Sequence, residues 1–220
     1  EETEPESNEE TSSSAPLPRD VKKSLIFLLL SVAFWFMGYN AVTSAFSKYA
    51  QIQWGMTGGS FASSLLIATA AAILSYIPVG IIATRIGRKK TILIGVTVLA
   101  LCFFSGALFP TYHPSVNLVF ALVGVAWAAI NVNSYPMVVE MSRGSNVGKF
   151  TGYYYTFSMA AQIITPVLSG ALLEHVGYWT LFPYAALFCA FAFITVLFVR
   201  HGDSKPIPPK SRLESFDTPD

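Results

Sequence analysis

Charged residues are scarce in this sequence of 220 residues, and so are cysteine and histidine. Only 12% of the residues are Asp, Glu, Lys or Arg, while 53% are hydrophobic; soluble domains have about 25% charged residues. This composition excludes a soluble enzyme domain and a disordered activator. Two cysteines are too few for a disulfide-stapled secreted module. The sequence also has no basic patch with interleaved aromatic residues, the pattern that would indicate nucleic-acid binding. We therefore expect no nucleic-acid partner, no metal site and no cofactor.

Long apolar runs fill most of the chain, and each has the roughly 20 residues that a helix needs to cross a bilayer. We predict an all-α membrane protein with six transmembrane helices, because lipid offers no hydrogen-bond partner to a backbone amide. The predicted spans cover residues 24–46, 60–83, 91–109, 116–139, 151–173 and 179–199.

The basic residues between these spans predict the orientation of the chain. Thirteen of the 14 Lys and Arg residues lie on one side of the predicted bundle, and Lys48 alone lies on the other. Loops rich in Lys and Arg remain in the cytoplasm. We therefore expect both termini in the cytoplasm and the bundle in the plasma or inner membrane.

Three regions follow from the composition. Residues 1–21 are acidic, rich in serine and interrupted by proline, which is typical of a disordered cytoplasmic linker. Residues 22–200 form the predicted transmembrane bundle, and residues 201–220 a cytoplasmic tail. Because the linker does not begin with Met and has no signal peptide, we expect the chain to start within a longer protein.

The string GIIATRIGRKK, at residues 80–90, joins the second span to the third. It resembles the signature loop of the major facilitator superfamily, G-x-x-x-D-R-x-G-R-R/K. Gly80, Arg85, Gly87, Arg88 and Lys89 match, and Thr84 stands where that family has Asp. Gly80 is expected to allow close helix packing and Gly87 a tight reversal. The alternative is that the basic residues only anchor the loop at the membrane surface.

The resemblance implies the C-terminal six-helix half of a secondary transporter, built from two inverted three-helix repeats that work with an N-terminal half by alternating access. The strings FMGYNA (36–41) and PMVVE (136–140) resemble the glycoside–pentoside–hexuronide:cation symporters and sucrose-transporter-like proteins. The implied substrate is a small polar solute, favouring a sugar or glycoside, moved with H⁺ or Na⁺.

Other functions remain open at this point. A facilitative or drug-type transporter of the same superfamily has the same helices. A six-span membrane enzyme would need a buried catalytic group, but all three histidines fall in predicted loops or tails, so we expect no catalysis. A channel or scaffold is a further alternative, but this sequence shows neither the re-entrant pore loop nor the ring of charges that a channel uses.

A charged gate is expected at the cytoplasmic ends of the helices. Glu140 ends the fourth span and Arg143 follows it. We predict that Glu140 pairs with Arg85 or Arg88 when this mouth is closed and separates from it when the mouth opens. The alternative is an exposed pair worth at most about 1 kcal/mol.

Uncharged polar groups and aromatic rings inside the spans are the candidates for a substrate cavity. Amides in hydrocarbon need partners and often face a cavity, and a ring beside an amide suits a sugar. Interhelical hydrogen bonds and an interfacial aromatic belt are the alternatives. The candidates are Trp35, Tyr39, Asn40, Asn131, Asn133, Gln162 and Thr165.

The orientation makes the first testable prediction. Cysteines introduced at Lys89 and Lys149 will be labelled by a membrane-impermeant maleimide from the same side of a sealed vesicle, because both lie in predicted cytoplasmic loops. A cysteine at Lys48 will be labelled from the other side. Labelling of Lys89→Cys and Lys149→Cys from opposite sides would refute the six-span topology.

Overall fold

The computed structural model describes residues 17–142 and 147–203, and this part of the chain is helical. Six of its helices are long and apolar enough to cross a membrane, as predicted. A short 3₁₀ turn, Tyr178–Thr180, precedes the last of them. The helices are α1 (Arg19–Gln53), α2 (Phe61–Ile86), α3 (Arg88–Gly106), α4 (Val116–Glu140), α5 (Val147–His175) and α6 (Leu181–Leu197).

Both predicted region boundaries shift by a few residues. Helix α1 begins at Arg19, directly after Pro18, so residues 19–21 belong to the bundle and not to the linker. At the other end, His201 is fixed to α1 by a 2.8 Å hydrogen bond between its Nδ1 and the Ser24 hydroxyl. The first residues of the predicted tail therefore pack against the bundle. The remainder of both predicted segments, residues 1–16 and 204–220, lies outside the described residues.

The two three-helix repeats exchange helices. Helix α2 packs mainly on α4 of the other repeat, and α5 packs mainly on α1. Helix α3 packs on α4, α6 packs on α1, and α3 and α6 contact each other. The same contacts therefore recur when α1, α2 and α3 are replaced by α4, α5 and α6. Because three is an odd number, the second repeat enters the membrane from the opposite side, which makes the repeats inverted.

Burial differs sharply among the helices. In their most apolar windows, α2 and α5 have 17% and 28% of residues buried, against 44–50% for the other four helices. Helix α6, although rich in phenylalanine, has a buried stripe that includes Phe182, Ala185 and Cys189. The largest unpartnered apolar faces of the described bundle thus belong to α2 and α5.

Small residues let the buried helices approach closely. A Cβ atom added to Gly38 on α1 would lie 2.8 Å from the carbonyl oxygen of Ala185 on α6. One added to Gly95 on α3 would lie 2.9 Å from the carbonyl oxygen of Ala126 on α4. These α1–α6 and α3–α4 contacts correspond under the repeat symmetry. In lipid, van der Waals packing of this kind drives the association of helices. The hydrophobic effect contributes little there, because the lipid tails are as apolar as the side chains that pack.

The tightest of these contacts joins α2 to α4 and makes the second prediction. A Cβ on Gly124 would overlap the carbonyl oxygen of Ala68, so Gly124→Ala will destabilise the bundle by about 1–3 kcal/mol, the usual cost of overpacking. The measurement is the midpoint of thermal unfolding in detergent.

Gly152→Ala is the matched control, because a Cβ there meets no atom within 4 Å. Alanine is the better helix former by about 1 kcal/mol, so this control will unfold at or above the temperature of the wild type. A Gly124→Ala protein as stable as the wild type would contradict the close α2–α4 contact.

Candidate functional site

An aromatic stack joins α1 to α4 near the middle of the bundle. The rings of Tyr39 and Trp127 lie 3.7 Å apart between centroids and are inclined by only 4°. Phe36 meets Trp127 edge-on at 5.1 Å. Tyr39 and Trp127 are both half-buried, so parts of the two rings remain open to a ligand. Trp127 was missed by the sequence analysis, although it lies one helical turn before Asn131 and shares its face.

Trp35 does not belong to this site, contrary to the prediction. Its side chain is fully buried, on the α1 stripe that also carries Leu28, Val32 and Val42. Residues four apart on a helix differ by about 40° in direction, and at α1 this angle separates the core stripe from the half-exposed Tyr39. The Trp35 indole nitrogen has no hydrogen-bond partner in the described part of the chain.

Three of the predicted amides lie on accessible faces and bind their own helices. Asn40 donates to the Phe36 carbonyl at 2.8 Å, and Asn131 to the Trp127 carbonyl at 3.0 Å. Gln162, which is exposed, donates to the Ser158 carbonyl at 3.3 Å. The expected alternative of interhelical amide bonds is thus not observed for these three. Each amide keeps its carbonyl oxygen and a second N–H for a ligand.

Two other predicted cavity residues are buried. Asn133 is 2% exposed and donates to the Ala129 carbonyl at 2.8 Å. It lies about 200° around the helix from Asn131, beside α2. Thr165 is fully buried, and its hydroxyl donates to the Ala161 carbonyl at 2.5 Å. Both side chains are buried inside the bundle, where each donates a hydrogen bond to its own helix. Neither lies on the half-exposed face that carries Tyr39.

The signature loop consists of a single residue between two helices. Gly87 ends α2 and precedes α3 with φ +97°, a left-handed conformation that favours glycine. Within the described residues Gly80, also in the motif, makes no close helix approach, because a Cβ there would make an ordinary 3.7 Å contact with Val132. Thr84, at the position where the family has Asp, donates its hydroxyl to the Ile81 carbonyl at 2.7 Å.

An ion pair connects this loop to the end of α4. The guanidinium of Arg88 contacts the carboxylate of Glu140, one of the two pairings expected from the sequence. Their side chains are 33% and 27% exposed, so the pair is only partly shielded from solvent. Arg85 is exposed at the end of α2, and Arg143 lies outside the described residues.

A segment after α6 holds the same loop from the other side. The Asp203 carboxylate accepts hydrogen bonds from the backbone N–H groups of Arg88, at 2.6 Å, and Lys89, at 3.2 Å. It therefore caps the N-terminus of α3, where a negative charge is favourable. In return, the Lys89 ammonium donates to the carbonyls of Leu197 and Val199 at the end of α6. The sequence analysis did not identify Asp203, because the partners are more than 100 residues apart.

The described charges lie at the two ends of the bundle. At the end opposite the signature loop, Lys48 and Glu174 form a 3.6 Å ion pair with side chains 60% and 64% exposed. The Tyr39–Trp127 stack and the three accessible amides form the polar region between these ends. In the described residues no group of three His, Cys, Asp or Glu side chains is placed to hold a metal ion.

Solved structures share this fold. A POT family peptide transporter, solved in an auto-inhibited state, superposes with a TM-score of 0.72 at 16% identity over 88% of this chain. The human organic anion transporter MFSD10 (TETRAN) superposes with a TM-score of 0.65 at 12% identity over 86% of this chain. At these identities the similarity establishes the fold alone. The present chain spans 40% and 49% of the lengths of these two proteins.

Comparison of sequences gives the family. Among curated protein sequences, none matches this chain. The profile of the Major Facilitator Superfamily, in contrast, matches residues 25–219, a range that covers α2 to α6 and all but the first six residues of α1. With six membrane-spanning helices arranged as half of such a transporter, this chain belongs to the Major Facilitator Superfamily.

Proposed function

We propose that this chain forms the C-terminal half of a transporter that moves a neutral polar solute, a sugar or glycoside, by alternating access. The observation that carries the proposal is the Tyr39–Trp127 stack beside the half-buried amides of Asn40 and Asn131. An apolar ring face stacks on an aromatic side chain, and amide oxygens accept hydrogen bonds from hydroxyl groups. An organic anion would instead favour a basic group on this face, where the structure places aromatic rings and amides.

The subtype that fits best is a glycoside–pentoside–hexuronide:cation symporter or a sucrose-transporter-like protein. A coupling cation, H⁺ or Na⁺, needs an acidic or other oxygen-rich site. The described carboxylates lie at the ends of this bundle, so we assign the coupling residue to the companion half. The same observation favours a facilitator as the second candidate, since a facilitator needs no coupling site.

The proposed mechanism requires a second six-helix unit, and two helices of this chain have faces that such a unit could cover. Helices α2 and α5 carry the largest exposed apolar faces, which include Leu74, Ile77, Ile163 and Val167. An N-terminal half that covered these faces would enclose the polar face of α1 and α4 between the two units. Rocking of the halves would then expose the central site to each side in turn. We place the signature loop at the cytoplasmic side of the plasma or inner membrane, as the basic residues indicate.

Transport by the complete protein tests the proposed substrate. In proteoliposomes, it will take up neutral methyl hexosides in preference to organic anions of similar size. Trp127→Ala will raise the half-saturating concentration about tenfold, because a ring contact worth about 1 kcal/mol or more is lost.

Trp127→Phe, which keeps a ring, will retain most of the affinity. Trp179→Ala is the control, because Trp179 is 58% exposed at the far end of the bundle, and it will transport like the wild type. Uptake limited to charged solutes, or unaltered in Trp127→Ala, would refute the proposal.

We also propose that the Arg88–Glu140 pair latches the mouth of the bundle at the signature loop. Glu140→Gln removes one charge of the pair and will open this mouth more often, by about threefold, as expected for a partly exposed ion pair. The readout is the rate at which an impermeant maleimide, added from the loop side, labels Gln162→Cys, a position on the exposed face of α5.

A charge swap, Arg88→Glu with Glu140→Arg, will restore the rate of the parent protein. Glu174→Gln breaks the other ion pair and serves as the control that leaves this labelling rate unchanged. If Glu140→Gln labels at the parent rate, or if the swap fails to restore it, the pair is not a latch.

A further inference from the structure

A cavity of about 220 Å³ lies next to the aromatic stack, between α1, α2, α3 and α4. We call it the Phe103 pocket. It lies between Tyr39 and the end of the bundle where α2 begins, which is the end opposite the signature loop. Tyr39 forms part of its wall and is therefore shared between the pocket and the stack. Its lining includes Tyr39, Thr43, Thr69, Phe103, Phe120 and Val123.

The pocket opens on the same side of the bundle as the stack. Its deep wall is made of Phe103, Phe120 and Val123, which are all 3% exposed or less. The exposed and half-buried lining residues lie on α1 and α2, which pack mainly on other helices, so we take the gap between these two helices as the mouth. Thr69 on α2 is exposed and Thr43 on α1 is half-buried. Thr43 follows Tyr39 by one turn of α1, so the mouth adjoins the exposed part of the stack.

The lining suits an apolar group. The Thr43 hydroxyl donates to the Tyr39 carbonyl at 3.2 Å, and the Thr69 hydroxyl donates to the Leu65 carbonyl at 2.9 Å. Both donors are thus satisfied within their own helices. The lining contains no carboxylate, amine or guanidinium. A charged or strongly polar group would lose its hydration here without compensation.

The volume of the Phe103 pocket is large enough for an aromatic ring. An engineered apolar cavity of about 150 Å³ binds benzene, so 220 Å³ accommodates a substituted phenyl group or a short branched alkyl group. A sugar ring would bring several hydroxyl groups into a lining whose side chains offer only the hydroxyls of Tyr39, Thr43 and Thr69 as polar partners, too few to replace the water that the sugar would lose. The polar ring of a solute is therefore better placed against Trp127 and Asn131, outside the pocket.

We propose that the Phe103 pocket binds an apolar, ring-sized substituent of the transported solute, whose polar part lies on the Tyr39–Trp127 stack. The inference rests on the proposed function and narrows it, since the substrate becomes a neutral glycoside with an apolar aglycone in place of a free sugar. A lipid chain is the competing occupant. The shared Tyr39 wall and the mouth beside the stack favour the solute.

The experiment compares pairs of glycosides that differ only in the aglycone. Binding of methyl and 4-nitrophenyl glycosides of the same hexoses to the complete protein is measured by titration calorimetry in detergent. In the wild type, the nitrophenyl member of a pair will bind at least tenfold more tightly, because it buries an additional apolar ring. Thr69→Phe places bulk at the mouth and will abolish this advantage, leaving methyl glycoside binding within twofold.

Thr97→Phe is the matched control. Thr97 is also exposed on a transmembrane helix, and its hydroxyl also bonds to the carbonyl four residues before it, that of Leu93, but it lies on α3 outside the pocket lining. This variant will keep the nitrophenyl advantage. Leu65 also lines the pocket, so Leu65→Ala enlarges it and will increase the preference for a naphthyl over a phenyl glycoside. Misfolding would not produce such a gain.

The outcomes separate this inference from the proposed function. Equal binding of methyl and nitrophenyl glycosides, with both weakened by Trp127→Ala, would overturn the pocket assignment and leave the substrate class standing. A nitrophenyl advantage that persists in Thr69→Phe would also overturn it, as would a co-purifying lipid displaced by Thr69→Phe but not by the glycosides. Failure of every glycoside to bind would overturn both.

Discussion

Hydrogen bonding inside the lipid is the constraint on which the rest of this structure depends. Because hydrocarbon offers no partner to the backbone, each crossing segment must be a helix. Polar side chains obey the same constraint. Asn40, Asn131 and Gln162 each donate to the carbonyl four residues before them. They need no second helix to be stable in the membrane, and their remaining polar atoms are free to meet a solute.

The six helices form one bundle because helices of each repeat pack on helices of the other. Helix α2 is held by α4, and α5 by α1, so neither repeat forms a closed unit by itself. Contacts through glycine and alanine, such as Gly38 against Ala185, hold α1 and α4 to the buried sides of α6 and α3. This arrangement leaves another side of α1 and of α4 half-exposed, and the Tyr39–Trp127 stack lies there.

The loop end of the bundle combines three polar connections within a short distance. Arg88 is held by Asp203 through its backbone and by Glu140 through its side chain. Lys89 in turn binds the carbonyls that end α6. The signature loop is thus the point where α3, α4 and the segment after α6 meet. A movement of α4 at this end would break the side-chain contact but leave the backbone cap in place.

The number of helices, their approximate positions and a tight reversal at Gly87 were determined by the sequence alone, because hydropathy, length and glycine geometry are local properties. That this reversal is a single residue between α2 and α3 was seen only in the structure. The choice among polar candidates was decided only by the tertiary structure. Asn131 and Asn133 are two residues apart, yet one is half-buried beside the stack and the other is 2% exposed. Trp35 lies in the core, and Trp127 stacks on Tyr39. Which face of a helix is buried depends on the angles at which neighbouring helices cross it. These crossing angles are set by contacts between residues far apart in the chain and cannot be read from one sequence.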